Sequence, residues 1–223
     1  EHICREIYKA LVHPQVDESI VAGLAQTLRD NDWELAPVFR QLFKSEHFFD
    51  EYVLGTRIKA PLDLMVSTVL EGGFDNTQPI RDYVLYGGYQ LNQGIFNPID
   101  VAGWPGDRDW VNTNTITGRW SSSDFFIFTA FQQTPQKLVE LAQALTSNTA
   151  NDPALVTQAI IDYLIPNGLS TPEAYDAATT VFKWEVPQNY YDDGLWNLSW
   201  DTVPAQVGLL MQHISRLPEF QLS

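Results

Sequence analysis

Apolar residues recur along this chain at helical spacing, and that spacing predicts most of its structure. Ile3, Ile7 and Leu11 mark a first helix, and Ile20, Leu24 and Leu28 a second, with Asp17 as its N-cap and Glu18 in its first turn. Val38, Phe39, Leu42 and Phe43 mark the next, ending near Ser45. Leu62, Met65, Val66, Val69 and Leu70 follow a first-turn Pro61 and stop at Gly72-Gly73. Behind Pro79 come Ile80, Tyr83, Val84, Gly87, Gly88 and Leu91, where the paired glycines predict a closely packed neighbouring helix or a local break.

The second half repeats one device, a capping side chain followed by proline, at Thr134-Pro135, Asp152-Pro153 and Thr171-Pro172. The helices behind these pairs carry Leu138, Leu141, Ala142 and Leu145, then Val156, Ala159, Ile160 and Tyr163, then Tyr175, Ala178 and Phe182. A last helix holds Val207, Leu210, Met211 and Ile214 and closes at Leu217-Pro218. No stretch alternates with period two between turn signals, so no sheet is expected. The predicted fold is all-α, about nine or ten helices in a single domain over residues 1–223, with a soft seam near 133. Residues 94–114 and 187–204 read as long irregular loops, rich in Gly, Pro and aromatic residues. The chain opens inside a helical pattern with no initiator Met or leader, and so reads as the C-terminal part of a longer protein.

Composition narrows the function classes. Hydrophobic residues make up 44% of the 223, enough for a sizeable core and too many for a disordered chain. A net charge of −15 would repel nucleic acid and anionic lipid. From residue 144 onward the only basic residues are Lys183 and Arg216, a balance that solubility accounts for. The lone Cys4 excludes an internal disulfide and any cysteine-cluster metal site. The longest apolar run, from Phe125 to Phe131, is broken by Thr129 and cannot span a bilayer.

Three places carry candidate chemistry. In the 94–114 loop, Trp104 and Trp110 are platforms for a sugar or aromatic ligand, or else pins that hold the loop to the core. Asp100, Asp107, Asp109, Asn112 and Asn114 offer hard oxygens to Ca²⁺, though without the register of a helix-loop-helix calcium site. Arg119 would clamp a carboxylate or sulfate, or satisfy loop carbonyls. Packing is the favoured reading. If a ligand is held here, the residues are Trp104, Asp107, Asp109, Trp110, Asn112 and Arg119.

The second place is Glu46-His47-Phe48-Phe49-Asp50-Glu51, where residues 46 and 50 would share a helical face beside a candidate base. Capping by Ser45 accounts for the same residues without chemistry. Third, Trp184, Tyr190, Tyr191, Trp196 and Trp200 with Asp192, Asp193 and Asp201 form either a glycan-binding face or a wrapping segment over the core, burial being favoured. His2, His13 and His213 are isolated, and Lys59 before Pro61 is either a pKa-tuned lysine or a solvated or helix-flanking residue, the latter being favoured. No nucleophile elbow, zinc-protease helix, phosphate loop or dinucleotide fingerprint occurs, and no cofactor is implied.

Several segments together resemble one family. They are Gly87-Gly88-Tyr89-Gln90-Leu91, Phe96-Asn97-Pro98, Gly103-Trp104-Pro105-Gly106, Trp110 and Arg119. Leu42-Phe43-Lys44-Ser45-Glu46-His47-Phe48-Phe49, Ile58-Lys59-Ala60-Pro61-Leu62-Asp63-Leu64 and the closing Leu217-Pro218-Glu219-Phe220-Gln221-Leu222 complete the set. In this order they resemble the bacterial "domain of unknown function 1800" family over nearly the whole chain, with Ala60 in place of a Ser and Asp107 in place of a second Gly. The resemblance implies an α-helical, extracytoplasmic protein and brings no activity with it. The expectation is an exported helical module binding a partner protein or glycan. The alternative is a hydrolase of polysaccharide or sulfated glycan using Glu46, His47, Asp63 or the loop aspartates.

Overall fold

The computed structural model describes residues 1–223 and is all-α, with eleven α-helices, three short 3₁₀ turns and no strand beyond isolated bridges. The chain separates into two compact units, Glu1–Arg57 with the terminal Ser223, and Ile58–Leu222. The boundary falls at 57/58, and the seam considered near 133 lies inside the second unit.

The first unit packs α1 (His2–Leu11) and α3 (Leu35–Phe43) against α2 (Glu18–Asp30). Asp17 caps α2 as expected, its carboxylate accepting from the Ser19 and Ile20 amides. The buried stripe of α1 is Cys4 and Tyr8, continued by Val12, and not Ile3 and Leu11, which face solvent. The two rows lie one residue apart, and the longer Tyr8 side chain fills the core that Ile7 only skirts. After α3 the segment expected to be helical is a 3₁₀ turn, Glu46–Phe49, capped by Ser45. Asp50 leaves it in extended backbone, so residues 46 and 50 share no helical face.

The second unit is built on α11 (Val203–Ser215), which packs against α6 (Thr113–Gln133), α7 (Pro135–Leu145) and α9 (Pro172–Lys183). Its stripe of Val203, Val207, Leu210, Met211 and Ile214 is buried, as its spacing predicts. The helix α8 (Pro153–Leu164) bridges α7 and α9, while α4 (Pro61–Glu71) lies against α5 (Gln78–Gln90) and α6. Asp152 and Thr171 cap α8 and α9 from in front of their prolines. Thr134 makes no such bond, because it also ends α6 and its hydroxyl turns back to the Ala130 carbonyl. A short helix, α10 (Gln188–Asp192), interrupts the 187–204 segment, which raises the helix number above the expected range.

At the end of α4, Gly73 stands at φ +65, Phe74 N–H reaches Val69 O at 3.0 Å and Gly73 N–H reaches Leu70 O at 3.1 Å. This is the double-bonded left-handed cap that needs glycine, and it folds Phe74 back onto the core. The buried row of α4 is Leu64, Met65, Thr68 and Val69. Val66 and Leu70, expected in the core, are exposed because α5 and α6 cover the opposite side. The paired glycines of α5 do mark a close approach. A Cβ on Gly88 would stand 2.8 Å from Leu62 Cδ2 and 3.0 Å from the Gln93 carbonyl oxygen. The carbonyl cannot give way, so Gly88→Ala is expected to cost about 1–3 kcal/mol, read as a lower melting temperature in thermal unfolding.

Candidate functional site

Between α5 and α6 the chain is folded into consecutive tight turns rather than left loose. Isolated bridges pair Gly94 with Asn97 and Asp100 with Gly103. Trp104 Nε1–H donates to Gly94 O at 3.1 Å, and the Asp100 carboxylate accepts from Ala102 N–H at 2.7 Å. The far end is anchored by buried Trp110, at the close of the 3₁₀ turn Asp107–Trp110. Asn92, Phe96 and Asp107 adopt left-handed backbone with φ of 67, 57 and 50. Each such residue costs of the order of 1 kcal/mol and is held only because its surroundings fix it. The turns aim Ile95, Phe96, Ile99 and Val101 at solvent, with Phe96 94% exposed and Val101 fully so.

The six candidate ligand-binding residues are divided between the surface of this loop and the core. Trp104 is part-exposed beside the turn it braces, and Asp107 and Asp109 are exposed. Trp110 is in the core. Asn112 is the N-cap of α6, its side chain accepting from the Asn114 and Thr115 amides while its own N–H donates to Thr115 Oγ1 at 2.8 Å. Arg119 is 0% exposed and turned inward. No three His, Cys, Asp or Glu side chains gather as a group that could hold a metal ion.

Arg119 instead joins three of the recognisable sequence segments. Its Nε–H donates to Gln221 Oε1 at 2.7 Å and an Nη2 hydrogen to Lys59 O at 2.8 Å, while Gln221 Nε2 donates to Ser215 O at 2.8 Å. Lys59 N–H donates to Gln221 O at 2.8 Å, next to the bridge pairing Ile58 with Leu222. Lys59 is not solvated as its sequence context suggested. It is 6% exposed, with Nζ 4.5 Å from the Phe220 ring centroid. The tail closes over it, so its stem and ammonium are held among core groups.

Burial pushes the Lys59 ammonium below its ordinary range and Arg119 adds to this, while Glu71 and Asp63 pull it back. Burial also lowers Arg119, to about 10, leaving it protonated at neutral pH. Glu71 is raised by its own burial and drawn down by Lys59. Because Lys59 titrates lower when folded, the unfolded chain binds more protons between its folded pKa and its ordinary value of 10.5. Stability therefore rises with pH as that window is entered, by at most about 1.4 kcal/mol per pH unit for one proton. Lys59→Met is expected to flatten this rise in urea midpoints followed from neutral pH to about pH 9, before Arg119, lowered to about 10, begins to contribute.

The other candidates are committed elsewhere. His47 Nε2 lies 2.7 Å from the Tyr8 hydroxyl and the rings stack, while Glu46 is exposed and Asp50 caps the Tyr52 amide. Asp63 faces solvent in the first turn of α4. In the aromatic segment Trp196 is fully buried and Tyr191 half-buried, whereas Trp184 and Tyr190 are exposed. Sequence reasoning missed the apolar side chains of the first loop, Ile95, Phe96, Ile99 and Val101. The available signal was four large apolar residues between turn formers at Gly94, Asn97-Pro98 and Gly103.

The geometry defines an all-α protein with a braced, apolar surface loop on a core tied by buried cations. The chain belongs to the family described as "Protein of unknown function (DUF1800)", whose model matches residues 1–222. No curated protein and no solved structure matches it. No helix is long and apolar enough to cross a membrane.

Proposed function

We propose that this chain is an exported helical module that docks on a partner protein through the apolar turns at 95–104. The observation that carries the reading is Phe96, which keeps a left-handed backbone at φ 57 while its ring stands 94% exposed. A strained residue presenting an aromatic ring to water adds nothing to folding, and such cost is kept where a surface is used. Trp104 and the paired bridges preorganise the loop, which lowers the entropy lost on docking. Export rests on the family resemblance together with the −15 charge.

Glycine accepts the Phe96 backbone without strain, so Phe96→Gly is expected to melt no lower than the parent, with up to about 1 kcal/mol gained. The same change removes the docking ring. A photoreactive benzophenone side chain at Val101, used on the exported fraction of source cells, is expected to give a discrete adduct that Phe96→Gly abolishes. The same probe at Leu155, exposed on α8, should give none. Matching adduct patterns at 101 and 155, or an adduct indifferent to Phe96→Gly, would sink the proposal.

A further inference from the structure

On the second unit, away from the docking loop in sequence, an open groove of about 350 Å³ runs between α7 and the turn that leads into α11. Its volume falls in the range of small-ligand sites. One wall is α7, where Gln136 and Gln143 stand seven residues apart on one face with Val139 between them. The other is Leu198, Ser199, Trp200, Asp201 and Pro204. Leu198 and Val139 are buried and form an apolar floor, while Gln136, Ser199 and Asp201 are exposed and Gln143 and Trp200 half-buried.

The aromatic wall is rigid. Trp200 Nε1–H donates to Leu195 O at 3.2 Å, its ring meets Tyr190 edge-on at 5.3 Å, and the Ser199 amide donates to Asn197 Oδ1 at 2.9 Å. By contrast, the Gln136 and Gln143 amides, the Ser199 hydroxyl and the Asp201 carboxylate make no hydrogen bond within the chain, and all four residues line the groove. Two amides supply donors and acceptors together, the carboxylate accepts, and the hydroxyl does both. Paired hydroxyls on a ring with an apolar C–H face match that set, with the indole taking the apolar face. The groove has no cation, and Lys137 on the same helix pairs with Glu140 at 3.4 Å, so sulfated or carboxylated sugars find no counter-charge.

We infer that this groove binds a neutral pyranose unit of a glycan. The inference does not depend on the docking loop.

The test is a titration of the isotope-labelled chain with cellotetraose, maltotetraose and chitotetraose, followed at the backbone amide signals of Val139 and Ser199, which line the groove and persist in every variant. At least one of the three is expected to shift both signals saturably, with Kd of about 10 mM or tighter. The double variant Gln136→Ala, Gln143→Ala changes only groove-facing positions on α7 and is expected to weaken that binding by about tenfold or more. Trp200→Phe, which keeps a ring but loses the bond to Leu195 O, is expected to weaken it without abolishing it. The inference is overturned if none of the three sugars shifts these signals. Saturable binding unchanged in the double variant, or a heparin tetrasaccharide that displaces the neutral sugar from the same signals, overturns it equally.

Discussion

Truncating Arg119 to alanine is expected to lower the unfolding free energy by about 3–5 kcal/mol, from two buried acceptors left unpaired and the cavity left behind. The side chain is 0% exposed and bonded to groups far apart in sequence, Lys59 O and Gln221 Oε1. Its loss orphans both acceptors, and each buried unsatisfied group costs about 1–3 kcal/mol. It also leaves a void where a large, fully buried side chain stood. The Gln221 amide keeps its bond to Ser215 O, so the tail should loosen before the helices do. Urea unfolding would measure the loss, and amide exchange at Lys59, whose N–H is bonded to Gln221 O, would locate it. Arg119→Lys is not a rescue, because one ammonium cannot reproduce a fork reaching two acceptors. A loss below about 1 kcal/mol in Arg119→Ala would mean the network is solvated rather than structural.

The contrast between Arg119 and Gly88 shows what the chain discloses about itself. Gly88 follows Gly87 on a helical stripe, and local spacing alone points to the close approach of α4 that the Leu62 contact confirms. Asp17, Pro61, Asp152 and Thr171 likewise act within a turn of themselves, so their roles as starts of helices are legible in the sequence. Phase is harder. In α1 the rows Ile3–Ile7–Leu11 and Cys4–Tyr8–Val12 differ by one position, and what packs opposite decides which is buried. The same holds in α4, where Val66 and Leu70 satisfy the periodicity and still face solvent.

Site geometry is the least legible, because it depends on pairs such as Arg119 with Gln221, 102 residues apart, and Lys59 with Phe220. Nothing near Lys59 in sequence announces that a tail will close over it. The exposure of Phe96 is equally hidden, since a left-handed φ at phenylalanine has no sequence signal of its own. Trp104 reads in the sequence as a platform or a pin, packing being favoured, but its spacing does not disclose the partner: its indole N–H braces the turn that presents its neighbours.

Trp196→Ala should be at least as damaging as loss of Arg119, about 3–5 kcal/mol for the cavity alone. The indole is 0% exposed, meets Phe182 edge-on with centroids 5.7 Å apart and contacts Tyr191 at 5.2 Å. Its Nε1–H donates to Gln206 Oε1 at 3.1 Å. Gln206 is itself fully buried and bonded on every side: its oxygen also accepts from Thr202 Oγ1, and its nitrogen donates to Phe182 O and Tyr191 Oη. This one side chain therefore ties the end of α9, the 187–204 segment and the first turn of α11 together. Trp196→Phe separates the two contributions, because it keeps most of the packing and removes only the indole donor. Gln206 Oε1 retains Thr202, so Trp196→Phe is expected to cost about 1–2 kcal/mol beside the larger alanine loss. Urea midpoints of both variants would decide the matter. Equal losses would place the energy in the hydrogen bond, whereas the expected gap places most of it in the ring that holds an otherwise irregular segment against the core.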